Sequence, residues 1–271
     1  MNQQNICMNN EIDRPEDSVA SVPAIVVRGL WSSYPGRRKG TTIDVLEGVD
    51  METARGEFAC IVGPSGCGKT TLLNTIAGFL EATRGEVLVE GRRVVGPDPK
   101  RIFIFQEGGV FPWLTVRDNV GFGLGELQRS ERDSIIQHYI DMVGLTGFES
   151  SYPRELSGGM RQRVEIARAL AANPEILYMD EPFGALDYFT RYKMRADLIR
   201  IWEVERKTIL FVTHDIDEAL QLADRIIVMN RRPARVATVV EVDAPRPRDL
   251  DSSEYLGLRH RIFAAMGMNH P

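Results

Sequence analysis

The run Gly63-Pro64-Ser65-Gly66-Cys67-Gly68-Lys69-Thr70-Thr71 limits what this chain can become more than any other stretch. It fits the spacing Gly, four residues, Gly, Lys, then Ser or Thr, which builds a phosphate-binding loop. Such a loop has to join a buried strand to the start of a helix. Glu57-Phe58-Ala59-Cys60-Ile61-Val62 reads as that strand, and Thr70 to Ala77 reads as that helix. The glycines bring successive backbone N–H groups close to an anion, and the helix N-terminus adds positive potential. Lys69 is placed to neutralise the β- and γ-phosphates of a nucleotide, and the Thr70 hydroxyl to ligate Mg²⁺.

The chain has 271 residues, enough for one large domain or two small ones, and a net charge of −5. That charge argues against a nucleic-acid groove, so no nucleic-acid partner is expected. No apolar run approaches the roughly 18 residues of a membrane helix. The first residues are polar, so no signal peptide is expected. Cys7, Cys60 and Cys67 have no metal-binding spacing and suit a reducing compartment. Cys67 lies inside the loop, where it is either a reactive thiolate or a small residue that fits the turn.

Residues 1–22 read as a flexible polar tail. Short apolar runs from Ala24 to Gly29 and Ile43 to Thr53 flank a turn-rich segment and read as antiparallel strands, with further strands at 86–95 and 102–105. A helix opens at Ser130 with Ile135, Ile136, Tyr139, Ile140 and Val143 on one face, and a second runs from Gly159 to Ala172. Strands 176–179, 209–212 and 226–229 then alternate with helices 191–205 and 216–223, which implies a mostly parallel sheet. A β segment, 234–242, and a helix, 253–266, close the chain. Tyr255, Leu258, Ile262 and Phe263 at helical spacing should pack that last helix on the domain.

Two further segments carry chemistry. The apolar strand at Ile176 ends in Asp180 and Glu181. An acid there belongs beside Mg²⁺, so Asp180 is the metal-side candidate; Glu181, one residue on, can polarise an attacking water. Leu156-Ser157-Gly158-Gly159 opens a helix and offers a hydroxyl and free N–H groups at a positive helix end. One phosphate loop but two phosphate-grasping surfaces per chain suggest a head-to-tail dimer with ATP between the copies.

In that order these motifs resemble the ATP-binding subunit of an ATP-binding-cassette (ABC) transporter over about residues 24–230. The resemblance implies an α/β phosphate-loop NTPase core of RecA-like type, with a mostly parallel sheet, an N-terminal antiparallel β subdomain and a small helical subdomain. It divides the chain into a cassette at 23–250, a helical subdomain inserted at about 107–160, and a C-terminal helix at 251–271. It places Tyr34 against adenine, Lys69, Thr70 and Thr71 on the phosphates, and Gln106 near both Mg²⁺ and the membrane partner. Glu181 becomes the general base, and His214 the residue that steadies Glu181 and meets the γ-phosphate. Ser157, Gly158 and Gly159 act across the dimer, and Asp187, in Gly184-Ala185-Leu186-Asp187, links the two sites. The cofactors so implied are ATP and Mg²⁺. The implied partners are a second cassette, integral membrane permease subunits and, indirectly, a substrate-binding protein, with the chain peripheral on the cytoplasmic face of the inner membrane.

Ser157 follows Lys69 by 88 positions, too few for the long coiled coil of the chromosome-maintenance relatives. The segment Phe111-Pro112-Trp113-Leu114-Thr115-Val116, with Val242 to Asp249, resembles the importers of nitrate, taurine and alkanesulfonates. Phe111, Trp113 and Leu114 either receive a membrane-subunit helix or fill the helical core. Gly108-Gly109 is smaller, and Tyr188-Phe189 bulkier, than that branch leads one to expect. The competing reading is a soluble cassette ATPase acting on nucleic acid or ribosomes.

Overall fold

The computed structural model describes residues 23–268 apart from positions 37, 39, 107, 126 and 250. The proposed tail at 1–22 with its Cys7, Glu107 at the start of the proposed helical insertion, and residues 269–271 lie outside the described residues.

The chain forms two sheets. The first is antiparallel, with strand order β2-β1-β4-β5. It contains β1 (Ile25–Pro35), β2 (Thr42–Thr53), β4 (Arg84–Val89) and β5 (Arg92–Arg93). The second has six strands in the order β10-β9-β3-β8-β7-β6. These are β3 (Phe58–Val62), β6 (Arg101–Ile104), β7 (Ile176–Asp180), β8 (Thr208–Thr213), β9 (Arg225–Met229) and β10 (Val236–Glu241). All neighbours in it run parallel except the edge pair β10 and β9.

The inner strands are apolar at nearly every position because both faces of the second sheet are covered. Alternation divides each strand between two cores. Phe58, Cys60 and Val62 of β3 face one side; Ala59 and Ile61 face the other. The first side is packed by α2 (Val116–Val120), α3 (Arg129–Met142), α4 (Gly158–Ala171), α5 (Tyr188–Glu205), α6 (Ile216–Leu222) and α7 (Ser253–Ala265). The second side receives α1 (Lys69–Ala77) through Leu72, Leu73 and Ile76, together with the antiparallel sheet through Ile25, Leu30 and Leu46. The antiparallel sheet therefore backs the phosphate loop. A Cβ at Gly68 would lie 2.8 Å from Val45 Cγ1, and its φ of +126° is itself closed to other residues.

Four elements differ from expectation. β1 continues to Pro35, past the expected end at Gly29, so Tyr34 is a strand residue paired with Ile43. The run 86–95 is broken by left-handed backbone at Glu90 and Gly91 into β4 and β5. Between Val116 and Val120 the chain forms α2, a helix outside the expected elements, which Thr115 caps by accepting a hydrogen bond from Asp118 N. Asn119 there is fully buried, and its amide donates to the carbonyls of Phe111, Leu114 and Thr115. α5 starts at Tyr188, three residues before the expected Arg191, because the Asp187 carboxylate caps it through Thr190 N at 3.1 Å.

Candidate active site

Parallel register brings the chemistry to one edge of the second sheet. β3, β8, β7 and β6 are consecutive neighbours. Their C-terminal ends deliver, in turn, the loop at Gly63, His214, the pair Asp180–Glu181, and Gln106. This is where open parallel sheets place their ligands.

Lys69 is buried, and its Nζ donates to the carbonyls of Gly63 at 2.9 Å and Pro64 at 3.2 Å. The ammonium thus sits over the loop that would enclose a phosphate. Ser65, Gly66 and Thr70 are exposed around it, and Thr71 and Pro64 are partly exposed. Cys67 is 2% exposed, and burial raises its thiol above the ordinary value despite the opposing charge of Lys69. Its burial favours the reading of Cys67 as a small residue that fits the turn over that of a reactive thiolate.

Thr70 Oγ1 donates to Asp180 Oδ1 at 3.2 Å. Asp180 is 5% exposed, and burial raises its carboxyl above the usual carboxylate range. The Thr70 hydrogen bond and Lys69 pull the other way, and the charge of Glu181 adds to the rise. A buried carboxylate beside a hydroxyl, at the mouth of a phosphate loop, is a hard-oxygen donor pair of the kind that holds Mg²⁺ jointly with nucleotide phosphates and water. No cluster of three His, Cys, Asp or Glu exists among the described residues, so a metal bound by protein side chains alone does not fit.

Glu181 has left-handed backbone, φ +44°, which costs a side-chain-bearing residue energy and is over-determined by its surroundings. Its N–H donates to Val212 O of β8 at 2.9 Å, and Gly184 N returns to Glu181 O at 3.0 Å. The bend aims the carboxylate out of the strand to His214, whose Nδ1 lies 2.8 Å from Glu181 Oε2. An ionised carboxylate only accepts, so Nδ1 carries the proton in this pair. Gln106 is exposed, and its Nε2 lies 3.8 Å from the Cβ position of Gly184, beside the same turn.

The remaining candidates do not join this cluster. Ser157 caps α4 by accepting from Met160 N, and Ser157 and Gly158 are exposed. The two glycines pack on the segment either side of Asp187: a Cβ at Gly158 would lie 3.4 Å from Leu186 Cδ2, and one at Gly159 2.5 Å from Thr190 Cγ2. Asp187 is exposed, and hydrogen bonding with Thr190 lowers its carboxyl. Tyr34 is 38% exposed near the end of β1.

One set of residues was not foreseen. Arg195 of α5 donates to Glu218 Oε1 at 3.0 Å and pairs with Asp215. Asp215 in turn caps α6 through the N–H groups of Asp217 and Glu218. The residue after His214 is thus clamped from two helices, which fixes the backbone that presents the imidazole.

Comparison with known proteins follows this geometry. The sequence profile of the family described as ABC transporter matches residues 46–184. An ATP-binding protein of Brucella abortus is 49% identical over 83% of this chain and 89% of its own length. The aliphatic sulfonates import ATP-binding protein SsuB of Bacillus cereus is 44% identical over 86% of this chain and 92% of its own. A dimeric ATP-binding cassette in a post-hydrolysis state, bound to ADP and Pi, superposes with a TM-score of 0.69 at 32% identity. That match covers 82% of this chain and all of the other.

Proposed function

This chain belongs to the ABC transporter family as an ATP-binding domain, and from that premise we propose that it hydrolyses ATP to drive import of a small anion through separate permease subunits. The observation that carries the ATPase reading is the Glu181–His214 pair, held at 2.8 Å on the sheet edge that also presents the phosphate loop.

In this reading Lys69, Thr70, Thr71 and the loop amides from Gly63 to Gly68 hold the phosphates, and Tyr34 receives the adenine. Asp180, Thr70 and Gln106 would hold Mg²⁺, which neutralises phosphate charge when bound. Glu181 takes the proton from the attacking water, and His214 fixes the carboxylate's direction. Ser157, Gly158 and Gly159 of a second copy close over the same nucleotide, and Asp187 lies between the two sites. The exposure of Ser157, Gly158 and Asp187 supports a head-to-tail pair.

No described helix is long and apolar enough to cross a membrane; the reading gives the pore to separate permease subunits. Trp113, 69% exposed, is the residue through which a permease helix would dock; Phe111 and Leu114 are partly buried beneath it. In this reading the chain lies at the cytoplasmic face of the membrane. The name of the Bacillus cereus relative supports an aliphatic sulfonate, or a taurine- or nitrate-like anion, as cargo. The test is recovery of this chain from gently solubilised native membranes, followed by ATPase assay of the complex with its binding protein. A polytopic permease and ATPase stimulated by an alkanesulfonate are expected. Recovery of ribosomal or nucleic-acid proteins without a permease would overturn the transport assignment.

Gly159→Ala tests the signature. The new methyl meets Thr190 Cγ2 at 2.5 Å, an overlap of the kind that costs about 1–3 kcal/mol or shifts the helix start. Turnover should fall about tenfold or more, while binding of a fluorescent ATP analogue by the single chain stays within about twofold. Adding Thr190→Ser, which removes that methyl and keeps the hydroxyl, should restore turnover.

A further inference from the structure

Two features are left over from the site just described. The first is a pair of aromatic rings. Tyr188 and Phe189 follow Asp187 directly and are 75% and 82% exposed. They meet edge to face with centroids 5.6 Å apart. Tyr192, one turn on, is 60% exposed. The Asp187 cap fixes the first turn of α5, so these rings are presented from a rigid element. They stand beside the exposed Ser157 and Gly158, because Leu186 and Thr190 are what the signature glycines pack on. Large rings held out in water on a fixed helix end mark an interaction surface.

The second feature is a cleft of about 730 Å³ over the catalytic loops. One side is polar and consists of Gly63 to Ser65, Glu181 and His214. The other side presents the apolar side chains of Ile216 and, at the end of α7, of Phe263, Met266 and Met268, set among the charged Asp215, Asp217 and Arg259. α7 is anchored there: Tyr255 and Ile262 are buried, and Arg259 pairs with Asp217 of α6 at 2.6 Å. The nucleotide chemistry uses the polar side and leaves the apolar side without a role.

We propose that Tyr188 and Phe189 of one copy seat against Ile216, Phe263 and Met268 of a second copy, which makes α7 part of the ATP-dependent dimer interface. The inference rests on the head-to-tail reading above. In that arrangement the surface flanking the signature of one copy faces the surface flanking the phosphate loop of the other. The aromatic pair flanks the first, and the apolar wall flanks the second. A second copy satisfies both at once and, by two-fold symmetry, twice per dimer. The bulk at positions 188 and 189 then has a purpose: aromatic anchors filling a pocket at the edge of the nucleotide sandwich. α7 also becomes a route by which dimer closure is sensed outside the catalytic loops.

The test mixes two full-length chains, both carrying Glu181→Gln to suppress turnover and Cys7→Ser. One carries Phe189→Cys and the other Met268→Cys. The native Cys60 and Cys67 are buried and do not compete. Under mild oxidation, a covalent dimer should form in the mixture with Mg·ATP, and not without nucleotide or from either chain alone. Sedimentation of the same chains reads the dimer independently. A dimer by sedimentation with no cross-link overturns the seating and leaves the head-to-tail reading standing. No dimer at all overturns both. A second variant, Tyr188→Ala with Phe189→Ala, should weaken the ATP-dependent dimer about tenfold or more, the usual scale for losing aromatic anchors. Val95→Ala, at a 94% exposed position outside the site, should leave it unchanged. An unaltered dimer in the aromatic variant would also overturn the proposal.

Discussion

Glu181→Gln should bind ATP as the parent does and lose steady-state turnover by a factor of about 10² to 10⁴, the range for removing a positioned general base. That corresponds to roughly 3 to 5 kcal/mol of barrier. The substitution suits the site because it changes so little else. Gln has the same length and, like Glu, pays for the left-handed backbone at φ +44°. Its amide oxygen still accepts from His214 Nδ1, which stands 2.8 Å from the parent carboxylate. Only the capacity to take a proton is lost. Phosphate release and nucleotide trapping should therefore separate: release falls while bound ATP and the dimeric form accumulate. His214→Ala should also slow release, through loss of the carboxylate's orientation, while leaving the base in place. Near-normal release from the Glu181 variant would show that another group activates the water, and the assignment of Glu181 would fall.

The position of Asp180 and Glu181 at a strand end was legible, but the roles expected of them rested on the phosphate loop upstream and on the family resemblance, not on the strand alone. An apolar run that ends in two adjacent acids marks the strand end, but the left-handed backbone at Glu181, φ +44°, which turns its carboxylate out of the strand to His214, carries no sequence signal. The strands themselves were readable for a physical reason. A strand buried on both faces shows as an unbroken apolar run, as in Ile209 to Val212, although β8 extends one buried threonine further at each end, to Thr208 and Thr213. What sequence could not give was placement across strands. Gln106 lies beside the turn after Glu181 only because β6 pairs with β7, Ile104 opposite Met179. Local capping was also hard to see. Asp187 begins α5 three residues early, and a single carboxylate carries no periodic signal. α2 has five residues, less than two turns, and its buried Asn119 looks like any loop asparagine until the carbonyls it serves are in place. The apolar spacing of α7 said that it packs on the domain, and it does. It said nothing of the cleft that Met266 and Met268 would line, since periodicity identifies a face and not what the face meets. The clamp on Asp215 by Arg195 escaped notice because its partners are 20 residues apart and on different helices.

Asp180→Asn should leave the nucleotide-free chain as stable as the parent or slightly more so, and should remove its stabilisation by Mg·ATP. Asp180 is 5% exposed, and burial raises its carboxyl pKa in the folded chain. A carboxyl whose folded pKa lies above the unfolded one binds its proton more tightly when folded. Its contribution favours folding below the unfolded pKa and is lost as pH rises through the folded one. At neutral pH the ionised group is therefore a burden on the nucleotide-free fold, and Asn removes it while its amide oxygen still accepts from Thr70, 3.2 Å away in the parent. A cation between carboxylate and phosphates would reverse that burden, which is why the same residue can be unfavourable to the fold and essential to the site. Thermal melts read both halves. The parent should gain about 2.7 kcal/mol at an ATP concentration one hundred times its dissociation constant with Mg²⁺ present, and the variant little of that at the same concentration. Without nucleotide, the stability of the parent relative to the variant should decline as pH rises from the ordinary carboxylate range through the raised folded value. A variant that melts well below the parent without nucleotide would make Asp180 a structural carboxylate. One that keeps the full Mg²⁺-dependent gain would remove it from the metal side of the site.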